Sequence, residues 1–261
     1  MSKLRIETVG RTFPGVHGGP PTEALQPTTF TVADNDFITI LGPSGCGKST
    51  LLRIVAGLDR PSTGHVFLDG SPVTGPGVER GMVFQSYTLF PWLTVEENIR
   101  FGLREKGVPA AEQQEIAAHY IARVGLGGFE RHYPKMLSGG MQQRTAIARA
   151  LANGPKILLL DEPFGALDNQ TRGLMQELLL GIWEAERKTV LFVTHDIEEA
   201  IFMAGRVLVM SARPGRIKAE VAVDLPHPRH YTLKTTPEFS ALKARLTEEI
   251  RVEALRAAAT A

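Results

Sequence analysis

The chain is 261 residues long and 43% hydrophobic, with a formal net charge of +1, which is enough apolar material for one large domain or a domain with a subdomain. Charge balance and the lack of any run of five or more Lys/Arg remove the electrostatic case for nucleic acid. One cysteine, Cys46, excludes an internal disulfide and suits a reducing compartment. Met1-Ser2-Lys3-Leu4-Arg5-Ile6-Glu7 lacks the apolar core of a signal peptide, and no stretch approaches eighteen uncharged apolar residues. The expectation is a cytosolic protein that reaches a membrane only through a partner.

Two antiparallel strands are expected near the N-terminus, joined by a turn-rich hairpin loop at Pro14–Pro21. Phe37 to Leu41 is an apolar run that stops at Gly42, where a glycine-rich loop leads into a helix beginning near Lys48. His65 to Leu68 and Gly81 to Phe84 read as further strands. Helical patterns then take over at Thr94 to Leu103 and Ala111 to Val124. A second glycine-rich segment, Leu137 to Arg144, opens another helix with Ser138 placed as its N-cap. Lys156 to Leu160, Thr189 to Val193 and Val207 to Met210 complete the strands, several apolar on both faces and so central in a covered sheet.

This alternation predicts an α/β fold with a mainly parallel sheet, an N-terminal antiparallel β region and a helical subdomain inserted at about 86–150. The main domain is expected over 1–225. The tail at 226–261 is broken by prolines and ends in a charged helix near Phe239 to Leu255, read as a solvated face.

Gly42-Pro43-Ser44-Gly45-Cys46-Gly47-Lys48-Ser49 fits G-x-x-x-x-G-K-[ST] between a strand and a helix. Small residues let backbone N–H groups wrap phosphates, and the helix N-terminus favours negative charge. Lys48 is expected at the β/γ-phosphates, Ser49 on Mg²⁺ and Thr50 at the α-phosphate; Cys46 is read as a small space-filler. Ile157 to Leu160 is a buried strand that delivers Asp161 and Glu162 at its carboxyl end. Asp161 suits Mg²⁺, and Glu162 is a candidate general base for an attacking water.

Together with Leu137-Ser138-Gly139-Gly140-Met141-Gln142-Gln143-Arg144, these residues resemble the nucleotide-binding subunit of ATP-binding cassette transporters, a P-loop NTPase family, over roughly residues 3–225. The resemblance implies further roles. Gln85 matches the glutamine linking Mg²⁺ and the lytic water to the membrane subunits, Asp168 the acidic loop crossing the dimer interface, and His195 the switch histidine at the γ-phosphate. Phe13 stands roughly where the family stacks an aromatic ring on adenine, with a core residue as the alternative. Met141 departs from the usual Gln, whereas Ser138, Gly139 and Gly140 are intact for contact with the γ-phosphate. The family solution is a head-to-tail homodimer that sandwiches two ATP molecules and reopens on hydrolysis.

Ser86 to Val95 is an apolar loop that needs cover from its own helices or from another chain. In the family this region meets a transmembrane permease, with Phe90 and Trp92 as the expected contacts. Gly75 to Gly81, Pro91-Trp92, Leu137 to Arg144, Asp196 to Ala200 and Ser211 to Ile217 resemble importers of nitrate, sulfonates such as taurine, and bicarbonate. In that group an extracytoplasmic binding protein and the permease choose the cargo, and the cassette lies at the cytoplasmic face of the cell membrane. A pyrimidine-type vitamin precursor is the alternative cargo. A soluble cassette ATPase of translation or repair is the rival class, disfavoured by a single cassette without sustained heptads. Intact Lys48, Asp161, Glu162 and His195 oppose a cassette that binds without turnover, and the absence of a span opposes a fused exporter.

Overall fold

The computed structural model describes residues 2–15 and 19–260; of the hairpin loop expected at Pro14–Pro21, Val16–Gly18 lie outside the described residues. The chain forms two compact units, one holding residues up to Gly77 and from Arg187 onward, the other Val78–Glu186. The first opens with β1 (Ser2–Phe13), β2 (Thr22–Ala33), β3 (Phe37–Leu41), α1 (Lys48–Ala56), β4 (Thr63–Leu68) and β5 (Ser71–Pro72). The second follows with β6 (Arg80–Val83), α2 (Val95–Glu105), α3 (Ala110–Arg123), α4 (Gly139–Ala152), β7 (Ile157–Asp161) and α5 (Asn169–Glu186). The chain then returns to the first unit through β8 (Thr189–Thr194), α6 (Ile197–Met203), β9 (Arg206–Met210), β10 (Ile217–Ala222) and α7 (Pro237–Thr260).

In the first unit, β1 and β2 pair antiparallel, and the order β2-β1-β4-β5 makes a one-sided sheet. Thr28, Phe30 and Val32 face inward while Thr29, Thr31 and Ala33 face out, the period-two alternation of a half-covered sheet. A second set runs β10-β9-β3-β8, with β3 parallel to both β8 and β9 and only β10 antiparallel. β3 and β8 are buried at every position, as mainly apolar strands covered on both faces are.

β10 was not legible in the sequence, because Ile217–Ala222 mixes charged and apolar residues; its partner β9 supplies the pairing. The tail also departs from the expected solvated face. Phe239 and Leu246 of α7 are fully buried, and the buried Arg229 guanidinium donates to the carbonyls of Ile201, Phe202 and Ala204 at the end of α6. A side-chain cation on the last carbonyls of a helix satisfies groups that have no partner within it.

The second unit pairs β6 parallel with β7 and carries four helices. Thr94 starts α2 with a capping box: its hydroxyl accepts from the Glu97 amide, and the Glu97 carboxylate accepts from the Thr94 amide at 2.8 Å. These bonds hold the Glu97 carboxyl below the usual carboxylate range. Ser138 caps α4 as expected, accepting from the Met141 amide at 3.3 Å.

Candidate active site

The phosphate loop is shaped by close approach as well as by glycine. Gly45 and Gly47 take φ of 76° and 103°, and a Cβ on Gly47 would stand 2.8 Å from the Ala24 carbonyl oxygen. Both the left-handed backbone and the contact demand a residue without a side chain. Cys46 is buried inside the loop, where it fills space as expected. Lys48 is only 4% exposed, and its ammonium donates to the carbonyls of Gly42 and Pro43 at 2.9 and 3.0 Å. α1 starts at this residue with no side-chain cap and no acid in its first turn, so its leading amides are suited to an anion. Ser49 follows, exposed.

Elsewhere in the same unit, His195 is exposed at the corner between β8 and α6. The corner is fixed on both sides: the Asp196 amide donates to the Thr194 hydroxyl at 3.0 Å, and Asp196 caps α6 by accepting from the Glu199 amide at 2.9 Å. Phe13 ends β1, half-buried, with the Arg11 guanidinium 4.5 Å from its ring centroid. That stacking covers one face of the ring.

In the second unit, β7 ends on Asp161, a carboxylate only 8% exposed, followed by Glu162. Glu162 takes φ 44°, a left-handed backbone costing a non-glycine residue on the order of 1 kcal/mol. Such strain persists only where the surroundings hold it. The Gly165 amide donates to the Glu162 carbonyl at 3.2 Å, and the Gln85 amide nitrogen stands 3.5 Å from its carboxylate. The strand expected to run to Phe84 stops at Val83, and Gln85 is exposed in the loop beyond it. Asp168 is also exposed and caps α5, accepting from the amides of Gln170 and Thr171 at 3.1 and 3.0 Å. Hydrogen bonds from Thr171 first, and from Gln170, hold its carboxyl below the ordinary aspartate range.

The start of α4 is closely packed against neighbouring side chains. A Cβ on Gly140 would stand 2.7 Å from a Thr171 methyl, and one on Gly139 would stand 3.1 Å from the Tyr87 hydroxyl. Met141, next in line, is half-buried. A cavity of about 720 Å³ opens nearby, lined among others by Gln85, Tyr87, Pro91, Gln142 and Asp161.

Two residues that build this loop were not singled out from sequence. Asn98, fully buried, donates to the carbonyls of Phe90, Leu93 and Thr94 and accepts from the Phe90 amide. The Arg149 guanidinium donates to the carbonyls of Thr88 and Tyr87 at 2.8 and 3.3 Å and lies 5.4 Å from the Phe90 ring centroid. Burial pulls the Arg149 pKa down from its ordinary value. An asparagine inside an otherwise good helix was the available signal, since Asn favours helix interiors only when its amide has work to do. The loop's two aromatics divide: Phe90 is half-buried, 4.4 Å between centroids from Phe101, while Trp92 is 70% exposed.

The expected site residues thus fall into two sets. Phe13, Gly42–Thr50 and His195 belong to the first unit; Gln85, Ser138–Gly140, Asp161, Glu162 and Asp168 belong to the second. Within the second, Gln85 meets Glu162, and Gly139 and Gly140 are packed on Tyr87 and Thr171. Within the second unit, the Asp161 carboxylate and the Gln85 amide oxygen are hard oxygen donors of the kind Mg²⁺ takes, one or two protein oxygens beside retained waters.

A phosphate loop, a strand-end acidic pair and a glycine-opened capped helix define a nucleotide-binding cassette. The family model for ABC transporter matches residues 25–165, and the chain belongs to that family. It is 52% identical to an uncharacterized ABC transporter ATP-binding protein of Methanocaldococcus jannaschii over 97% of this chain and 93% of that protein. It is 47% identical to the nitrate import ATP-binding protein NrtD of Synechocystis over 94% of this chain and 97% of that protein. A similar likeness, 47% identity over 87% of this chain and 88% of the other, links it to the aliphatic sulfonates import protein SsuB of Bacillus cereus. Among solved structures, a dimeric ATP-binding cassette in a post-hydrolysis state with ADP and Pi matches with TM-score 0.75 and 33% identity, covering 85% of this chain and all of that one. The fold is therefore that of the P-loop ATPase cassette, and the chain is an ATP-binding, ATP-hydrolysing subunit of an ABC transporter. No helix of the described residues is long and apolar enough to cross a membrane.

Proposed function

We propose that this cassette works as a head-to-tail homodimer at the cytoplasmic face of a membrane, driving uptake of a small anion such as nitrate, a sulfonate or bicarbonate. The observation that carries the dimer is the start of α4. It is a second helix N-terminus, opened by Gly139 and Gly140 behind the Ser138 cap, in a chain whose phosphate loop already supplies one anion seat. A second seat is accounted for when each copy closes Ser138–Gly140 over the nucleotide held by the other.

In this reading the amides of Gly42–Thr50 and the Lys48 ammonium hold the phosphates of ATP. Ser49, Asp161 and Gln85 would hold Mg²⁺, which would supply positive charge against the phosphates of ATP. The Glu162 carboxylate accepts the proton of the water attacking the γ-phosphorus, and Gln85, beside it, orients that water. His195 donates to the γ-phosphate from its fixed corner, Asp168 faces the partner copy, and Phe13 offers its uncovered face to adenine. Trp92, exposed beside Phe90, docks the permease, and a binding protein outside the membrane delivers cargo.

The cargo class rests on the nitrate and sulfonate import proteins to which the chain is similar. The test is uptake by vesicles carrying this chain with its neighbouring permease and binding protein, comparing nitrate, taurine and bicarbonate. ATP-dependent uptake of one of them supports the reading; a functional complex that moves none of the three sinks the cargo assignment.

A further inference from the structure

The C-terminal helix reaches the phosphate loop through a chain of contacts inside the first unit. Glu253 of α7 is a carboxylate only 2% exposed. One oxygen accepts from the Ala212 amide at 2.9 Å, the other from the Lys218 ammonium at 3.1 Å. Lys218 also bonds the Glu249 carboxylate at 2.9 Å. Although burial opposes it, these two carboxylates keep the Lys218 pKa above its ordinary value, so the ammonium stays charged at neutral pH.

Ala212 begins a turn closed on itself, with the Ser211 amide donating to the Arg216 carbonyl and the Arg216 amide to the Ser211 hydroxyl. Gly215, at its far end, is wedged between β2 and the phosphate loop. Its amide donates to the Ala24 carbonyl at 3.1 Å and its carbonyl accepts from the Gln26 amide at 2.8 Å. A Cβ there would lie 1.8 Å from the Cys46 carbonyl oxygen. The same Ala24 carbonyl is the atom that excludes a side chain from Gly47. The loop is therefore backed by a turn whose other end is fixed by a buried carboxylate.

We infer that Glu253 is a positioning residue for ATP binding, holding the 211–216 turn so that Gly215 and Ala24 brace the phosphate loop in its anion-wrapping form. This rests on the reading that Gly42–Thr50 holds the phosphates. Glu253 touches no nucleotide, and it acts on affinity and not on the hydrolytic step, because Glu162 and His195 are not in the brace.

The test uses the full chain with ATP and Mg²⁺, measuring Kd by fluorescence titration and kcat and KM by phosphate release. Glu253→Leu is expected to raise Kd and KM together by ~10-fold, the scale of one buried charge-assisted hydrogen bond, with kcat within about twofold. Glu253→Gln, whose amide oxygen can still accept from Ala212, should recover most of the affinity. Lys243→Ala, an exposed change in the same helix, should leave both values at wild type. Lower kcat at unchanged KM, or a Gln variant no better than Leu, overturns the inference. Should the Leu variant fail to fold, amide exchange on the wild-type chain decides: a brace coupled to ATP must be protected by ATP at residues 211–216. Exchange there that ignores bound ATP overturns it equally. A wild-type chain that binds no ATP would instead fail the reading of the loop.

Discussion

Replacing Asn98 by alanine isolates what holds the loop expected to face the permease. The Asn98 amide donates to the carbonyls of Phe90, Leu93 and Thr94 at 3.2, 3.0 and 2.9 Å, and its oxygen accepts from the Phe90 amide at 2.9 Å. Two of these partners keep another bond after truncation: Phe90 O still accepts from the Leu93 amide, and Thr94 O from the Asn98 backbone amide. The Phe90 amide and the Leu93 carbonyl lose theirs. A buried polar group stripped of its partner costs about 1–3 kcal/mol, so two in a half-buried loop cost roughly 3 kcal/mol. For a chain of this size that is a fall in Tm of roughly 6–12 °C. Calorimetry and urea unfolding of Asn98→Ala measure it. Asn98→Asp should do worse, because it turns a carboxylate toward carbonyl oxygens. A loss below about 0.5 kcal/mol, the usual range for surface substitutions, would refute the reasoning.

Gly47→Ala meets both a φ of 103° and a backbone oxygen 2.8 Å from the new methyl, so ATP affinity should fall at least ~10-fold, with the loop distorted by the strain. Titration with ATP checks this, and near-wild-type affinity would show the loop to be adaptable. Asp168 has a folded pKa below its unfolded one. Its cap therefore stabilises fully above the unfolded value and is lost as pH falls through the lower folded value. Asp168→Asn, which keeps an acceptor, should flatten that acid limb in a stability profile; an unchanged limb contradicts the assignment. Phe90→Ala with Trp92→Ala should preserve ATP binding while abolishing cargo uptake by the assembled transporter, and undiminished uptake would remove these rings from the docking surface.

The elements that the sequence made legible are those dictated by one local rule. The mainly apolar run Phe37–Leu41 before Gly42 reads as a covered strand, and Ser138 is a fitting N-cap for the helix that follows it. β10 and the buried face of α7 escaped because their burial is decided by distant partners: β9 for one, Lys218 and Ala212 for the other. Glu253 reads as one more charge on a solvated helix until the Ala212 amide is found against it. Asn98 and Arg149 escaped for the same reason, since their partners are backbone atoms that a residue pattern does not display. Gln85 was recognised by its residue type, yet its place beyond the end of β6 follows from where pairing with β7 stops.

Glu162→Gln tests the two-copy ATP clamp most directly, because it removes the proposed base while keeping a side chain of the same shape beside Gln85. With ATP and Mg²⁺, sedimentation of this variant should give a stable dimer holding two ATP per pair, and turnover should fall by at least ~100-fold. Wild-type turnover, or a monomer that binds ATP without pairing, would contradict the account.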